Sequence, residues 1–97
     1  MFNALWLKGD EGRRMYAEYG QRAMQLVESL GGAVDYVLSP VDIVDDDFLP
    51  DVLAVIRYPS RRVFDAMMAS DEYRSFADLR TQAASRMILT ECKKVEF

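Results

Sequence analysis

Val52-Leu53-Ala54-Val55-Ile56-Arg57-Tyr58-Pro59-Ser60 is the stretch on which the fold turns. Successive side chains of a strand point to opposite faces, and here the first five are apolar at odd and even positions alike, the pattern of a strand buried on both sides. Pro59 cannot donate to a β-ladder and ends the strand, and Ser60 is a natural N-cap, so a helix opens at once. That helix carries Val63, Phe64, Met67 and Met68 at helical spacing. Ser70 caps a second helical segment bearing Tyr73, Phe76, Leu79, Ala83 and Met87.

Upstream, Phe2-Asn3-Ala4-Leu5-Trp6-Leu7 is another short run apolar on both faces, closed by Gly9-Asp10-Glu11-Gly12. From Arg13 to Leu30 the apolar positions Tyr16, Tyr19, Ala23, Val27 and Leu30 step by three and four, which predicts a helix that Asp10 or Gly12 can start and Gly31-Gly32 stops. Gly20 inside it costs about 1 kcal/mol relative to Ala, so that face is expected to pack closely on the sheet. Ala33–Leu38 and Val41–Val44 read as β-rich, interrupted by Ser39-Pro40, and predict a bent or edge strand before a turn over residues 45–51. Downstream, the tail from Met87 to Phe97 begins apolar and then alternates, as a closing edge strand does.

Strand, helix, strand, strand, helix pair, strand is the βαββαβ order of a ferredoxin-like α+β sandwich, a four-stranded antiparallel sheet with helices on one face. The 97 residues make one such domain, residues 1–97, with no spare length for a second. A chain this short buries only about 60–65% of its unfolded surface. One cysteine, Cys92, allows no intrachain disulfide, and without histidine the usual zinc and iron ligand sets cannot be assembled. The sheet face without helices is then expected to be covered by a second copy, giving a homodimer.

Net charge is −4, and five aspartates, Asp42, Asp45, Asp46, Asp47 and Asp51, more than account for it, leaving the rest of the chain at +1. An acidic chain lacks the basic footprint of a nucleic-acid binder, and no basic-aromatic motif suits strand aromatics to stacking bases, so no nucleic acid is expected. The apolar N-terminus is too short for a signal sequence and no run is long enough to span a bilayer, so a cytoplasmic protein without membrane contact is expected. No phosphate loop or GxGxxG turn is present, and no cofactor is expected.

Asn3-Ala4-Leu5, Tyr16-Ala17-Glu18-Tyr19-Gly20, Gly31-Gly32, Arg57-Tyr58-Pro59-Ser60, Ser70-Asp71-Glu72-Tyr73 and the later Arg80 resemble the domain-of-unknown-function family 1330 over nearly the whole chain. Asp71 stands where members of that family usually carry Pro, and the Asp-rich segment before Pro50 is longer and more acidic than usual. The resemblance implies the dimeric α/β-barrel superfamily, with ferredoxin-like subunits paired sheet to sheet and a pocket between sheet and helices. It implies no reaction, although that superfamily includes cofactor-independent oxygenases, isomerases and decarboxylases.

Ligand-binding candidates follow from polar groups among apolar ones. Tyr16 and Tyr19 share a helix face, and Tyr58 and Tyr73 sit where strand and helix meet it, so the four hydroxyls can tip an apolar pocket or simply find water at the core margin. Arg57 is the charged exception in its strand and Arg80 interrupts an apolar helix face; a buried guanidinium demands a carboxylate, from Asp35, Glu18 or Glu91 or from a ligand. Asn3 is a similar polar intruder in its strand. The aspartate cluster lacks the oxygen spacing of a calcium loop, and no metal is expected there. Cys92 has basic neighbours but no histidine or second cysteine to make it a nucleophile, and the methionines read as core fillers. Three functions remain open: a homodimer binding a small organic molecule, anions included; a noncatalytic structural or assembly module without a ligand; and a cofactor-independent oxygenase- or isomerase-type enzyme.

Overall fold

The computed structural model describes every residue except Asp46. In chain order it comprises β1 (Phe2–Leu7), α1 (Gly9–Ser29), β2 (Ala33–Leu38), β3 (Val52–Arg57), α2 (Arg61–Ala69), α3 (Asp71–Arg74), α4 (Ala77–Ala83) and β4 (Ala84–Thr90). All strand pairs are antiparallel and the order is β2-β3-β1-β4. The two strands that are apolar at every parity, β1 and β3, are therefore central, as their sequence requires.

Strand register assigns the faces. Asn3 pairs with Ala54 and Leu89, and Leu5 with Val52 and Met87, so this parity faces the helices. There Tyr19, Ala23, Leu26, Val27, Met67, Tyr73 and Phe76 form the core, with Ile56 of β3 packed against it. The opposite parity, with Phe2 on Val55, Ala4 between Leu53 and Ile88, and Trp6 beside Arg86, faces away. Part of that face is covered from within the chain. Phe48 meets Trp6 edge-on at 5.6 Å, and the Arg86 guanidinium lies 4.5 Å from the Trp6 ring centre. Pro50 is fully buried, while Tyr36 and Leu38 on β2 stay 63% and 54% exposed.

Several boundaries differ from expectation, each for a physical reason. The first helix starts at Gly9, one residue before Asp10, the earlier of the two expected starts, because Gly9 adopts φ +59° at no steric cost and Asp10 and Glu11 suit the positive end of the helix dipole. It stops as predicted. Gly31, at φ +85°, donates to Glu28 O and Gly32 donates to Val27 O, the two bonds of a Schellman ending. The close approach expected at Gly20 lies instead at Gly12: a Cβ on Gly20 meets nothing within 4 Å, whereas one on Gly12 falls 2.6 Å from Ala83 O.

Val41–Val44 forms no strand, because the β2–β3 ladder ends at Leu38 opposite Leu53 and Pro40 has no N–H to extend it. The helical segment after Ser70 breaks at Ser75-Phe76 and ends at Ala83, whose carbonyl accepts from Lys8 N at 2.8 Å, so Met87 belongs to β4. The tail stops pairing at Thr90, since Phe2 opposite it is the first residue of β1. Asp51, just before β3, binds both β1 and α1: its N–H donates to Leu5 O, one carboxylate oxygen accepts from Leu7 N at 2.7 Å, and the other takes Arg13 at 3.2 Å. Among the described residues, no helix is long and apolar enough to cross a membrane.

Candidate functional site

Helical spacing in α1 sets Tyr16 and Tyr19 side by side, their rings stacked at 5.8 Å. Tyr73 approaches from α3, whose first turn Ser70 fixes by accepting from Tyr73 N at 3.1 Å while donating to Met67 O at 2.7 Å. The Tyr19 and Tyr73 hydroxyls meet at 2.9 Å in the core, and Phe76 packs against both rings. Tyr58, just past β3, rests edge-on against Phe64 at 5.0 Å.

Arg80 of α4 is half-buried and reaches down to the sheet. It donates to Asn3 Oδ1 at 3.2 Å and to the Met87 sulfur at 3.2 Å, and Asn3 Nδ2 in turn donates to Ala54 O at 3.4 Å. Among the described residues no carboxylate pairs with Arg80. Its charge is felt by Tyr16, Tyr19 and Tyr58, where it partly offsets a larger effect. Burial pushes the Tyr16 and Tyr19 hydroxyls above their ordinary range and Tyr58 up to about 12, with Tyr73 adding to each shift.

Six of the seven sequence candidates, Asn3, Tyr16, Tyr19, Tyr58, Tyr73 and Arg80, thus belong to one cluster between sheet and helices. Arg57 does not join them. Ile56 and Tyr58 point to the helices, so Arg57 between them points away, where it is 69% exposed and paired with Asp35 at 3.4 Å. The premise that its guanidinium is buried is corrected accordingly, although Asp35 is one of the partners the sequence offers. Phe76 and Met87 belong to the same neighbourhood as ring packing and sulfur acceptor. Phe76 carries the signal of a ring three residues after Tyr73, whereas Met87 becomes visible only through the β1–β4 register. Cys92 is exposed, and among the described residues no group of three or more acidic or thiol side chains could hold a metal ion.

The cluster is rich in donors and poor in acceptors. Burial keeps the Tyr16, Tyr19 and Tyr58 phenols protonated at neutral pH, and the Tyr19 and Tyr73 hydroxyls, which share one hydrogen bond, leave one O–H free to donate. A thioether is a weak acceptor for a guanidinium, so a carboxylate replacing the Met87 sulfur strengthens that bond. The edge beside Arg80 is open, with Met87 37% and Leu89 44% exposed on β4. Tyr16 lines a cleft of about 400 Å³ between α1 and the sheet, and Tyr58 lines a larger one at the sheet's end; Arg80 lines neither.

Sheet order, one-sided crossovers and the cluster between the layers define a ferredoxin-like α+β domain. The chain belongs to the DUF1330 family, a domain of unknown function, whose profile it matches over residues 11–91. It is similar to the crystal structure of methylated RPA0582 protein, with TM-score 0.87 and 24% identity, covering 98% of this chain and 78% of that one. It is similar also to the RPA0582 protein of unknown function from Rhodopseudomonas palustris, with TM-score 0.85, 23% identity and coverage of 98% and 80%. At such identity the fold is what is shared. No curated protein matches the chain.

Proposed function

We propose that the protein is a homodimer in which each subunit binds a small anionic organic molecule, a carboxylate or an acidic phenol, between sheet and helices. The observation that carries the reading is Arg80, a half-buried guanidinium with no carboxylate partner among the described residues, set among Asn3 and tyrosine hydroxyls that stay protonated. Such a group favours a ligand that brings the missing negative charge. This is a binding reading, because the cluster supplies donors and a fixed charge but neither carboxylate nor imidazole to take up a proton. Pairing of subunits through the open face is supported by Phe2, Leu53, Val55 and Ile88 there and by the exposed Tyr36 and Leu38. Light scattering at micromolar concentration is expected to give about twice the 11.1 kDa of one chain; a mass of one chain refutes the dimer.

A thermal-shift screen of small carboxylates and phenols tests the ligand. A ligand at about a hundred times its Kd stabilises by about 2.7 kcal/mol. Wild type is expected to show that shift, Arg80→Lys a reduced one and Arg80→Gln none. If no compound shifts wild type, or one shifts Arg80→Gln equally, the reading fails. A structural module is the second reading, favoured by one observation: among the described residues no buried side-chain nitrogen or oxygen lacks a partner. On that reading Arg80→Gln lowers Tm and no compound acts.

A further inference from the structure

We infer that the cleft at the end of the sheet is a second small-molecule site, one that takes an amphipathic anion such as a medium-chain carboxylate. It lies where β1 begins and β3 ends, and its volume of about 960 Å³ falls in the range of ligand pockets. Tyr58 and Phe64, on the helix side of the sheet's end, supply an aromatic surface for the ligand's body, and Phe2 and Val55, which belong also to the open face of the sheet, complete the apolar lining at the edge of the proposed dimer seam.

Its charge is biased. Arg57, Arg61, Lys93 and Lys94 line it against Asp35 and Glu91. Arg57 is taken by Asp35, and Arg61 binds Asp65 at 2.9 Å and Glu91 at 3.1 Å. The Arg61–Glu91 contact ties the chain beyond β4 to α2, and the next three residues, Cys92, Lys93 and Lys94, line the cleft. Among the described residues, Lys93 and Lys94 have no ion pair. The bound arginines therefore build the wall, and the two lysines leave the site with net positive charge. An apolar lining edged by unspent cations matches a ligand with an apolar body and one negative end. A neutral ligand of the same shape would leave that charge unused, and a cation would be repelled.

Only Tyr58 is common to this cleft and the Arg80 cluster, so the two sites separate by mutation. The probe is anilinonaphthalene sulfonate, an aromatic anion whose emission rises on transfer from water, displaced in turn by octanoate, octanol and octylammonium. Octanoate is expected to displace the probe about tenfold better than octanol, with octylammonium weaker still. Reversing two rim charges, each worth up to a few-fold at an exposed site, is expected to weaken octanoate about tenfold in Lys93→Glu/Lys94→Glu, with Lys93→Gln/Lys94→Gln between. These lysines lie on exposed chain outside helix and strand, and unchanged circular dichroism verifies the fold. Equal displacement by octanol overturns the inference, as does unchanged octanoate binding in the glutamate variant. So does loss of octanoate from Arg80→Gln in place of the lysine variants, which puts the carboxylate in the tyrosine cluster.

Discussion

Replacing Gly12 by alanine places a methyl 2.6 Å from Ala83 O, 3.2 Å from Lys8 Cβ and 3.5 Å from the Leu7 carbonyl carbon. Two of these are fixed backbone atoms, and the Ala83 oxygen also accepts from Lys8 N at 2.8 Å, the bond joining the β1–α1 turn to the α4–β4 junction. Relief requires α1 and α4 to separate. Alanine gains about 1 kcal/mol of helix propensity. Against this stand about 1–3 kcal/mol for an overpacked contact and about 1 kcal/mol for a weakened backbone hydrogen bond. The balance is a loss of about 2 kcal/mol, which for a domain of this length lowers Tm by about 8–16 °C. Gly20→Ala in the same helix meets nothing within 4 Å. It keeps the propensity gain and is expected to raise Tm by about 4–8 °C. Thermal unfolding followed by circular dichroism, with urea midpoints at unchanged slope, reads both variants. If Gly12→Ala is as stable as wild type, or if both variants move Tm in the same direction, the close approach of α1 to the α4–β4 junction is refuted.

The tyrosine cluster gives a pH dependence of fixed sign. Because burial raises Tyr16, Tyr19 and Tyr58 above their ordinary value of 10.0, the unfolded chain releases protons first as pH rises. Stability is therefore full below about pH 10 and falls on the way to the Tyr58 value near 12; urea midpoints that stay level over that interval contradict the burial. Tyr73→Phe leaves the Tyr19 hydroxyl without its buried partner and is expected to cost about 1–2 kcal/mol, measured by urea unfolding. Asp51→Ala leaves Leu7 N unpaired and leaves Arg13 with only the longer Asp10 contact at 3.9 Å, with an expected loss of about 2 kcal/mol, while Asp42→Ala on the exposed part of the segment changes stability by less than about 0.5 kcal/mol.

The fold is legible in the sequence because its strongest signals are local. Strands apolar at both parities must be central, and Pro59-Ser60 and Gly31-Gly32 mark a helix start and a helix end wherever the rest of the chain lies. Signals that depend on a partner element are not legible. Gly20 and Gly12 look alike in sequence, and only the position of Ala83, far along the chain, distinguishes them. The same holds for the arginines. Arg57 and Arg80 both interrupt apolar patterns, but strand parity turns one to solvent, and the reach from α4 to Asn3 brings the other into the cluster. The aspartate-rich segment reads as a charge run, which hides the roles of Phe48 on the Trp6 ring and of Asp51 as a backbone acceptor.

Trp6 is the only tryptophan, and it lies between a cation and an aromatic edge on the face away from the helices. Four of the five tyrosines lie with the cluster on the other side, so the indole, excited at wavelengths the phenols do not absorb, reports from one face, and the phenols report from the other through their ultraviolet difference absorbance. On the proposed function, subunit pairing over the open face would change the polarity around the indole, while a ligand at Arg80 would act first on the phenols. One sample followed by indole emission and by phenol absorbance can thus tell assembly from ligand uptake without an attached dye, and the order of the two events can be timed directly.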